Sequence, residues 1–180
     1  MANRRSFHQP LSRGSARRLW APWRARYVSQ LPQHGCLFCR KASQRAGRRN
    51  LVVKRGHTAF VLLNLYPYNN GHLMVAPYRH LKDWDQLSQP EILDIVGLMQ
   101  GAQRLLTMLM RPDGFNIGCN IGRVAGAGVV GHLHVHVVPR WNGDTNFMPV
   151  CTNTKVISQS LLELYDRLRE LYASIDTPRT

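Results

Sequence analysis

The chain of 180 residues has the length of one domain with tails, and its 44% hydrophobic and 8% aromatic residues are typical of a globular protein. Apolar stretches such as Ala59 to Leu63 are far shorter than a bilayer span, which predicts a soluble protein without membrane segments. The formal net charge of +14 comes from the N-terminal part of the chain, because residues 1–82 carry 16 of the 24 Lys and Arg and no Asp or Glu. Such a charge favours a polyanionic partner, either a nucleic acid or a multiply phosphorylated small molecule, unless it only solvates a tail.

Residues 1–18 are predicted to be a disordered basic tail, the part through which a nucleic acid would bind. Their Arg-rich, acid-free composition also fits an organelle transit peptide. Pro10 and Gly14 interrupt the amphipathic helix that such a peptide needs, and the apolar run of a secretory signal is missing. Four cysteines in a chain without that signal indicate reduced thiols or a metal site, and a cytoplasmic setting.

Residues 19–175 are predicted to form one domain of the α+β class, with a basic loop before the first strand. The turn-forming residues 67–71 separate two β-rich segments and predict an antiparallel meander. Ser88, Pro90 and Glu91 have the spacing of a capped helix start, and an apolar stripe extends that helix to about Met110. The complete prediction is an antiparallel sheet of about five strands with one long helix and a C-terminal helix, with strands at 51–53, 57–65, 72–76, 114–121 and 132–138 and helices at 88–110 and 156–173.

Three histidines, His132, His134 and His136, alternate with aliphatic residues in the last predicted strand. Because a strand has a period of two, the imidazoles share one face, which we expect to be solvated, while the aliphatic side chains enter the core. Same-face positions lie about 6.6 Å apart, so the rings need different roles, and the central His134 is the predicted nucleophile. A solvated polar face or a metal site built on the His-x-His pattern is the alternative.

A glycine-rich segment from Asn120 to Gly131 directly precedes these histidines. Glycine lets the backbone approach a ligand closely and adopt positive φ, so that successive N–H groups converge on phosphate oxygens. Such a turn alone is weak evidence, but its position before three alternating histidines favours phosphate chemistry over a metal site.

The segment His132-Leu133-His134-Val135-His136-Val137-Val138 fits the histidine triad signature, and the chain resembles the histidine triad family over roughly residues 50–150. Within that family it is most similar to the branch of the diadenosine tetraphosphate phosphorylases and the fragile histidine triad protein. The segments LWAPWR and PRWNGDTNFMPV resemble those of the bacterial phosphorylase-like members.

The resemblance implies a fold of the histidine triad type and roles for individual residues. His134 would attack the α-phosphorus to form a nucleotidyl-histidine intermediate. His136 would contact the α-phosphate or hold the reacting group, and His132 would support His134 or bind a metal. Asn64 would contact the ribose and His72 would be the upstream active-site histidine, unless they are a polar turn residue and a surface histidine. The implied phosphate cradle consists of Asn120, Ala125, Gly126, Ala127 and Gly128.

The sequence departs from the family pattern near the predicted leaving group. Ile121 stands where the fragile histidine triad protein has a glutamine that assists departure. Many members carry Ser or Thr where this chain has Gly128, Val129 and Val130. Backbone amides would therefore have to make more of the contacts there. The indole N–H of Trp141 is a candidate donor near the leaving group, with a structural role as the alternative.

Cys36 and Cys39 form a Cys-x-x-Cys pair, which is half of a zinc site. In zinc-containing relatives the first triad histidine and a histidine after the second upstream strand complete the site, which implies His132 and His80 here. The sequence thus predicts structural zinc, with two reduced thiols in a loop as the alternative, and no organic cofactor.

The leading hypothesis is a nucleotidyltransferase or hydrolase that cleaves dinucleoside polyphosphates, with inorganic phosphate or water as the acceptor and with ATP and ADP as products when phosphate accepts. The resemblance also implies a homodimer. One alternative is a nucleoside phosphoramidase, since the histidines alone do not exclude P–N bond cleavage. Another is a non-catalytic nucleotide- or nucleic-acid-binding module in which the basic tail supplies the affinity.

Overall fold

The structure of the protein is a computed structural model, which describes residues 35–145 and 159–176. The predicted basic tail, the beginning of the predicted C-terminal helix and Cys151 lie outside these residues. The described elements, with a 3-10 turn at Trp84–Gln86, are α1 (Leu37–Ser43), β1 (Val52–Arg55), β2 (Ala59–Leu63), β3 (Leu73–Pro77), α2 (Gln89–Met110), β4 (Gly114–Gly118), β5 (Val135–Arg140) and α3 (Leu161–Asp176).

The five strands form one antiparallel sheet in the order β1-β2-β3-β5-β4. Strands joined by short turns pair directly, whereas α2 carries the chain from β3 to the far edge of the sheet. From β4 at that edge the chain returns as β5, which fills the position between β3 and β4. His136 consequently lies opposite Met74 on one side and Gly118 on the other. The predicted α+β class and five-stranded sheet are confirmed.

Helix α2 begins at the predicted cap. The carboxylate of Glu91 accepts hydrogen bonds from the amide of Ser88 at 2.8 Å and from the guanidinium of Arg79 at 2.7 Å, which ties the first turn to the segment after β3. Arg79 is the main reason that the pKa of Glu91 falls to about 2. The apolar stripes of α2 and α3 then cover one face of the sheet, in a core that includes Val61, Leu63, Val75, Ile95, Ala102, Leu105, Leu106, Val135, Val137, Leu164 and Leu168.

Helix α1 lies where the sequence predicted only a loop, and it covers the other face of the sheet. Its Phe38 packs in a second apolar cluster with residues of β1, β2 and β3. His132 and His134 lie beneath this cover and expose only 1% and 5% of their surface. The expectation of a solvated histidine face is therefore wrong for His132 and His134, because a segment distant in sequence packs onto that face, whereas His136 is partly exposed.

Strand β5 begins at Val135, three residues later than predicted. The chain is already extended before this point, since the amide of Leu133 donates to the carbonyl of Leu81 at 2.7 Å. The alternation persists, with Val135 and Val137 in the core and the histidines on the opposite face. None of the helices in the described ranges has both the length and the apolar character that crossing a bilayer requires.

Asp94 of α2 holds the turn between β1 and β2. Its carboxylate accepts hydrogen bonds from the amide of Thr58 at 2.6 Å, the hydroxyl of Thr58 at 3.0 Å and the amide of Ala59 at 3.0 Å. Gly56 packs so closely against this carboxylate that an added Cβ would lie 2.7 Å from Oδ1 of Asp94. The turn is thus fixed to α2 both by hydrogen bonds and by close packing.

Replacing Asp94 with Ala removes the one carboxylate oxygen that accepts all three hydrogen bonds and leaves the amides of Thr58 and Ala59 without their partner. We expect the free energy of unfolding, measured by urea denaturation at pH 7, to fall by about 2 to 4 kcal/mol. Asp85→Ala is the matched control, because Asp85 lies exposed in the 3-10 turn. Equal stability of the two variants would contradict this account of the turn.

Candidate active site

The ring of His134 is held in one orientation by a backbone acceptor. Its Nδ1 lies 2.8 Å from the carbonyl oxygen of His132, and because a carbonyl only accepts, Nδ1 carries the hydrogen. In the neutral ring the lone pair is then on Nε2. Burial lowers the pKa of His134, which favours this neutral form near pH 7. His134 lines a cleft, so the site presents an imidazole with a basic nitrogen to a ligand.

A chain of hydrogen bonds fixes the proton positions on His72 and His136. The backbone amide of Tyr68 donates to Nδ1 of His72 at 3.0 Å, so the hydrogen of neutral His72 is on Nε2. Nε2 of His72 lies 2.9 Å from Nδ1 of His136 and donates to it. The remaining hydrogen of His136 is therefore on Nε2, and that ring also lines the cleft. The two imidazoles thus present different groups to a ligand, a lone pair on His134 and an N–H on His136.

His72 is completely buried and stays neutral. Burial and the neighbouring His136 and His134 lower the pKa of His72 to about 3. Asn64 lies beside it, with Nδ2 at 3.3 Å from Nδ1 of His72. The Oδ1 of Asn64 accepts a hydrogen bond from the amide of Tyr66 at 3.0 Å. The alternative of a surface histidine at position 72 is thereby wrong, and Asn64 and His72 do lie together behind His136.

The cleft has walls that the sequence interpretation missed. Phe38 of α1 lies with its ring centroid 4.7 Å from that of His134, and Tyr68 lies 5.5 Å from His136 by the same measure. A signal existed for both, because Phe38 stands between the two cysteines and Tyr68 between Asn64 and His72. Among the residues that the structure describes, the lining is Leu37, Phe38, Asn64, Tyr66, Tyr68, Met74, Gly128, Val129, His134 and His136.

The glycine-rich loop reaches this cleft only at its end. Gly128 and Val129 line it, whereas the amides of Gly126 and Ala127 donate to carbonyls of the same loop at 3.0 and 3.3 Å. Asn120 belongs to the beginning of that loop and is not among the lining residues. Of the five residues predicted to form the phosphate cradle, only Gly128 thus lines the cleft.

Trp141 lies apart from the triad. It directly follows β5, on the same face as Val137 and Pro139. Its indole N–H points to the carbonyl of Met110 at 3.4 Å. It lines another cavity, beside Asn70 and Arg167. The structure therefore does not bring Trp141 to His134, because alternation along the strand directs it to the face covered by α2.

Cys36, Cys39, His80 and His132 converge, with one ligand atom from each and all four atoms within 4.8 Å of one another. Nδ1 of His132 lies 3.2 Å from the sulfur of Cys36 and 3.6 Å from that of Cys39, and Nδ1 of His80 lies 3.3 Å from Cys39. These separations are close to the edge of about 3.5 Å expected for a zinc tetrahedron of two thiolates and two imidazoles. Nε2 of His132 donates to the carbonyl of Pro77 at 2.9 Å, which leaves the lone pair of Nδ1 for a cation. The donor set thus fits zinc, and the predicted four residues lie together.

Comparison with known proteins agrees with this geometry. Residues 47–143 match the HIT domain family. An AP-4-A phosphorylase of Mycobacterium tuberculosis is 40% identical over 157 residues, which cover 83% of this chain and 80% of that protein.

Among solved structures, a zinc-bound histidine triad family protein from Mycobacterium smegmatis superposes with a TM-score of 0.62 at 26% identity, covering 79% of this chain and 96% of that one. A hypothetical histidine triad nucleotide-binding protein from Sulfolobus tokodaii also superposes with a TM-score of 0.62 at 24% identity, covering 78% of this chain and 93% of that one, and it supports the fold alone. By sequence and by fold, this chain belongs to the HIT (histidine triad) family.

Proposed function

We propose that the protein is a nucleotidyltransferase that cleaves dinucleoside polyphosphates such as diadenosine tetraphosphate, using inorganic phosphate as the acceptor and releasing ATP and ADP. The observation that carries the proposal is the fixed tautomer of His134, whose Nδ1–H is bound by the carbonyl of His132 so that Nε2 is basic in the cleft. The similarity to the AP-4-A phosphorylase of Mycobacterium tuberculosis supports the substrate class.

In the first step Nε2 of His134 attacks the α-phosphorus of one nucleotide. A P–N bond forms and the bond from phosphorus to the bridging oxygen breaks, so that AMP is carried on His134 and ATP leaves with the bonding electron pair. In the second step an oxygen of inorganic phosphate attacks the same phosphorus, the P–N bond breaks, and ADP is released from the regenerated imidazole. With water in place of phosphate the product is AMP.

His136 supplies the complementary group. Its Nε2–H, fixed by the bond from His72 to Nδ1, donates to an oxygen of the α-phosphate as negative charge accumulates there. His72 contributes because it remains a neutral donor to His136. Asn64 and Gly128 border the cleft and are the proposed contacts of the ribose and the phosphate.

The Cys36, Cys39, His80 and His132 quartet would hold structural zinc. Protein side chains would fill all four coordination positions, as in closed structural sites, so the ion would stabilise the fold around His132 rather than bind substrate. The zinc-bound relative from Mycobacterium smegmatis supports the choice of metal.

A homodimer is the proposed assembly. It is supported by apolar side chains that lie exposed on α2 and β4, namely Ile92, Leu93, Val96 and Ile117. Within the described ranges, strand β4 is also an edge of the sheet and pairs with β5 alone.

The first test is product analysis with diadenosine tetraphosphate, with and without inorganic phosphate, for wild type, His134→Ala and His57→Ala. We expect ATP and ADP only when phosphate is present, activity reduced by at least about 1,000-fold in His134→Ala, and normal activity in the control, since His57 is exposed and lies outside the cleft. Phosphate-independent cleavage would identify a hydrolase. Equal activity of wild type and His134→Ala, or none in either, would reject the proposal in favour of a phosphoramidase or a binding module.

The second test follows from the lowered pKa of His72. Because the folded value is about 3 and the unfolded value about 6.5, only the unfolded state takes up this proton as the pH falls from 7 to 5, so stability is lost. We expect the free energy of unfolding to drop by about 2 kcal/mol more in wild type than in His72→Gln over this range. His57→Gln should retain the wild-type dependence, and an identical pH dependence in His72→Gln would show that the buried proton site is misassigned.

The third test concerns the metal. Wild type purified in the presence of zinc should retain about one ion per chain by elemental analysis, as should Cys119→Ser, whereas Cys36→Ser and Cys39→Ser should lose most of it. Cys119 is a suitable control because it is a free cysteine that accepts a bond from the indole of Trp84 and is outside the quartet. Zinc retained equally by all four proteins would contradict the assigned ligands.

A further inference from the structure

The short helix α1 forms one wall of the substrate cleft. Leu37 and Phe38 line the cleft, and Phe38 contacts the ring of His134. The helix has only seven residues, fewer than an isolated helix needs to be stable in water. Its position must therefore depend on tertiary contacts, which are the packing of Phe38 in the second apolar cluster and the contacts made by its two ends.

The N-terminal end of α1 is held by the quartet, to which Cys36 and Cys39 belong. The C-terminal end is held by Arg55 of β1. Nη1 of Arg55 donates to the carbonyl of Ala42 at 3.0 Å, and Nη2 donates to the carbonyl of Lys41 at 3.1 Å and also to that of Gln44. Carbonyls in the last turn of a helix lack partners within the helix, and a cation there also faces the negative end of the helix dipole.

The guanidinium of Arg55 is itself fixed by aromatic rings. Its central carbon lies 5.9 Å from the ring centroid of Phe60 and 5.7 Å from that of Tyr78, within the range of cation–π attraction. These two rings stack on each other at 5.5 Å. Arg55 thus joins the end of α1 to the sheet. The carbonyls of α1 and the two aromatic rings together fix the orientation of its planar guanidinium.

A phosphate-binding role is the simpler interpretation of an arginine in this basic half, but the contacts argue against it. Two nitrogens of Arg55 already donate to carbonyls of α1 and its following residue, and Arg55 is not among the residues that line the cleft. Its donors are used to hold the helix instead of facing a ligand.

We propose that Arg55 is a positioning residue for nucleotide binding, because it fastens the last turn of α1 to β1 and so holds Leu37 and Phe38 at the cleft. The nature of the nucleotide rests on the proposed function. Loss of the guanidinium lets this wall move, which weakens substrate binding more than it slows the chemistry at His134.

The test compares Arg55→Met, which keeps the apolar stem, and Arg55→Lys, which keeps the charge, with the control Arg48→Met. Arg48 belongs to the same basic half, but it is exposed and its ion pair with Asp166 lies at the surface. For diadenosine tetraphosphate with phosphate we expect KM to rise about tenfold in Arg55→Met while kcat stays within about threefold. Arg55→Lys should fall between this variant and wild type, and Arg48→Met should behave as wild type.

An unchanged KM in Arg55→Met, or a KM rise that Arg48→Met shares, would overturn the proposal. So would a fall in kcat and melting temperature without a KM effect, which would mean a purely structural role. If Arg55→Met does not fold, Arg55→Lys decides, since a KM equal to wild type would reject positioning and a raised KM would support it.

Calorimetric titration of the same variants with AMP separates this proposal from the proposed function. If wild type does not cleave the dinucleotide, the proposed function fails, yet a tenfold weaker AMP affinity in Arg55→Met alone still supports positioning. Unchanged or undetectable AMP binding throughout would overturn it.

Discussion

Burial of His132 and His134 imposes one constraint from which the rest of the arrangement follows: each imidazole nitrogen removed from water needs a partner. His132 meets this constraint at both ring atoms, with Nε2 bonded to the carbonyl of Pro77 and Nδ1 directed at the thiols. Its own carbonyl then accepts the Nδ1–H of His134. One residue therefore connects the sheet, the proposed metal site and the proposed nucleophile, and it does so by hydrogen bonds whose direction allows a single tautomer at each ring.

A second consequence of burial is that the neighbouring rings of His134 and His136 have different roles. His134 and His136 have ring centroids only 5.0 Å apart, but their backbone and side-chain partners assign opposite proton positions to the atoms that border the cleft. A solvated face would leave both rings free to exchange tautomers and to take up a second proton. The apolar cover over this face thus contributes to the chemistry as well as to the stability of the fold.

The parts that the sequence predicted were those determined locally. The capping box at Ser88 and the alternation around His134 specify their elements within a few residues, and both are present in the structure. The Cys36 and Cys39 spacing likewise indicated half of a ligand set. Helix α1 escaped prediction because it is short and carries no apolar stripe of helical period, so its stability comes from partners distant in sequence. The solvated histidine face was wrong for the same reason, since a strand pattern does not reveal what packs against it.

The turn at Gly56 lies between two contacts that position helices, one with α1 and one with α2. Arg55, which holds α1, directly precedes this glycine, and the carboxylate of Asp94 on α2 occupies the space that a side chain at position 56 would fill. Any larger residue there must displace the side chains of Asp94 and Leu98, whose nearest atoms would lie 2.7 to 2.9 Å from its Cβ, or shift the end of β1, so the wall of the cleft and the packing of α2 are linked at this position. Position 56 is consequently a site where sequence divergence is limited by two requirements at once, although it bears no functional group and lies outside the cleft.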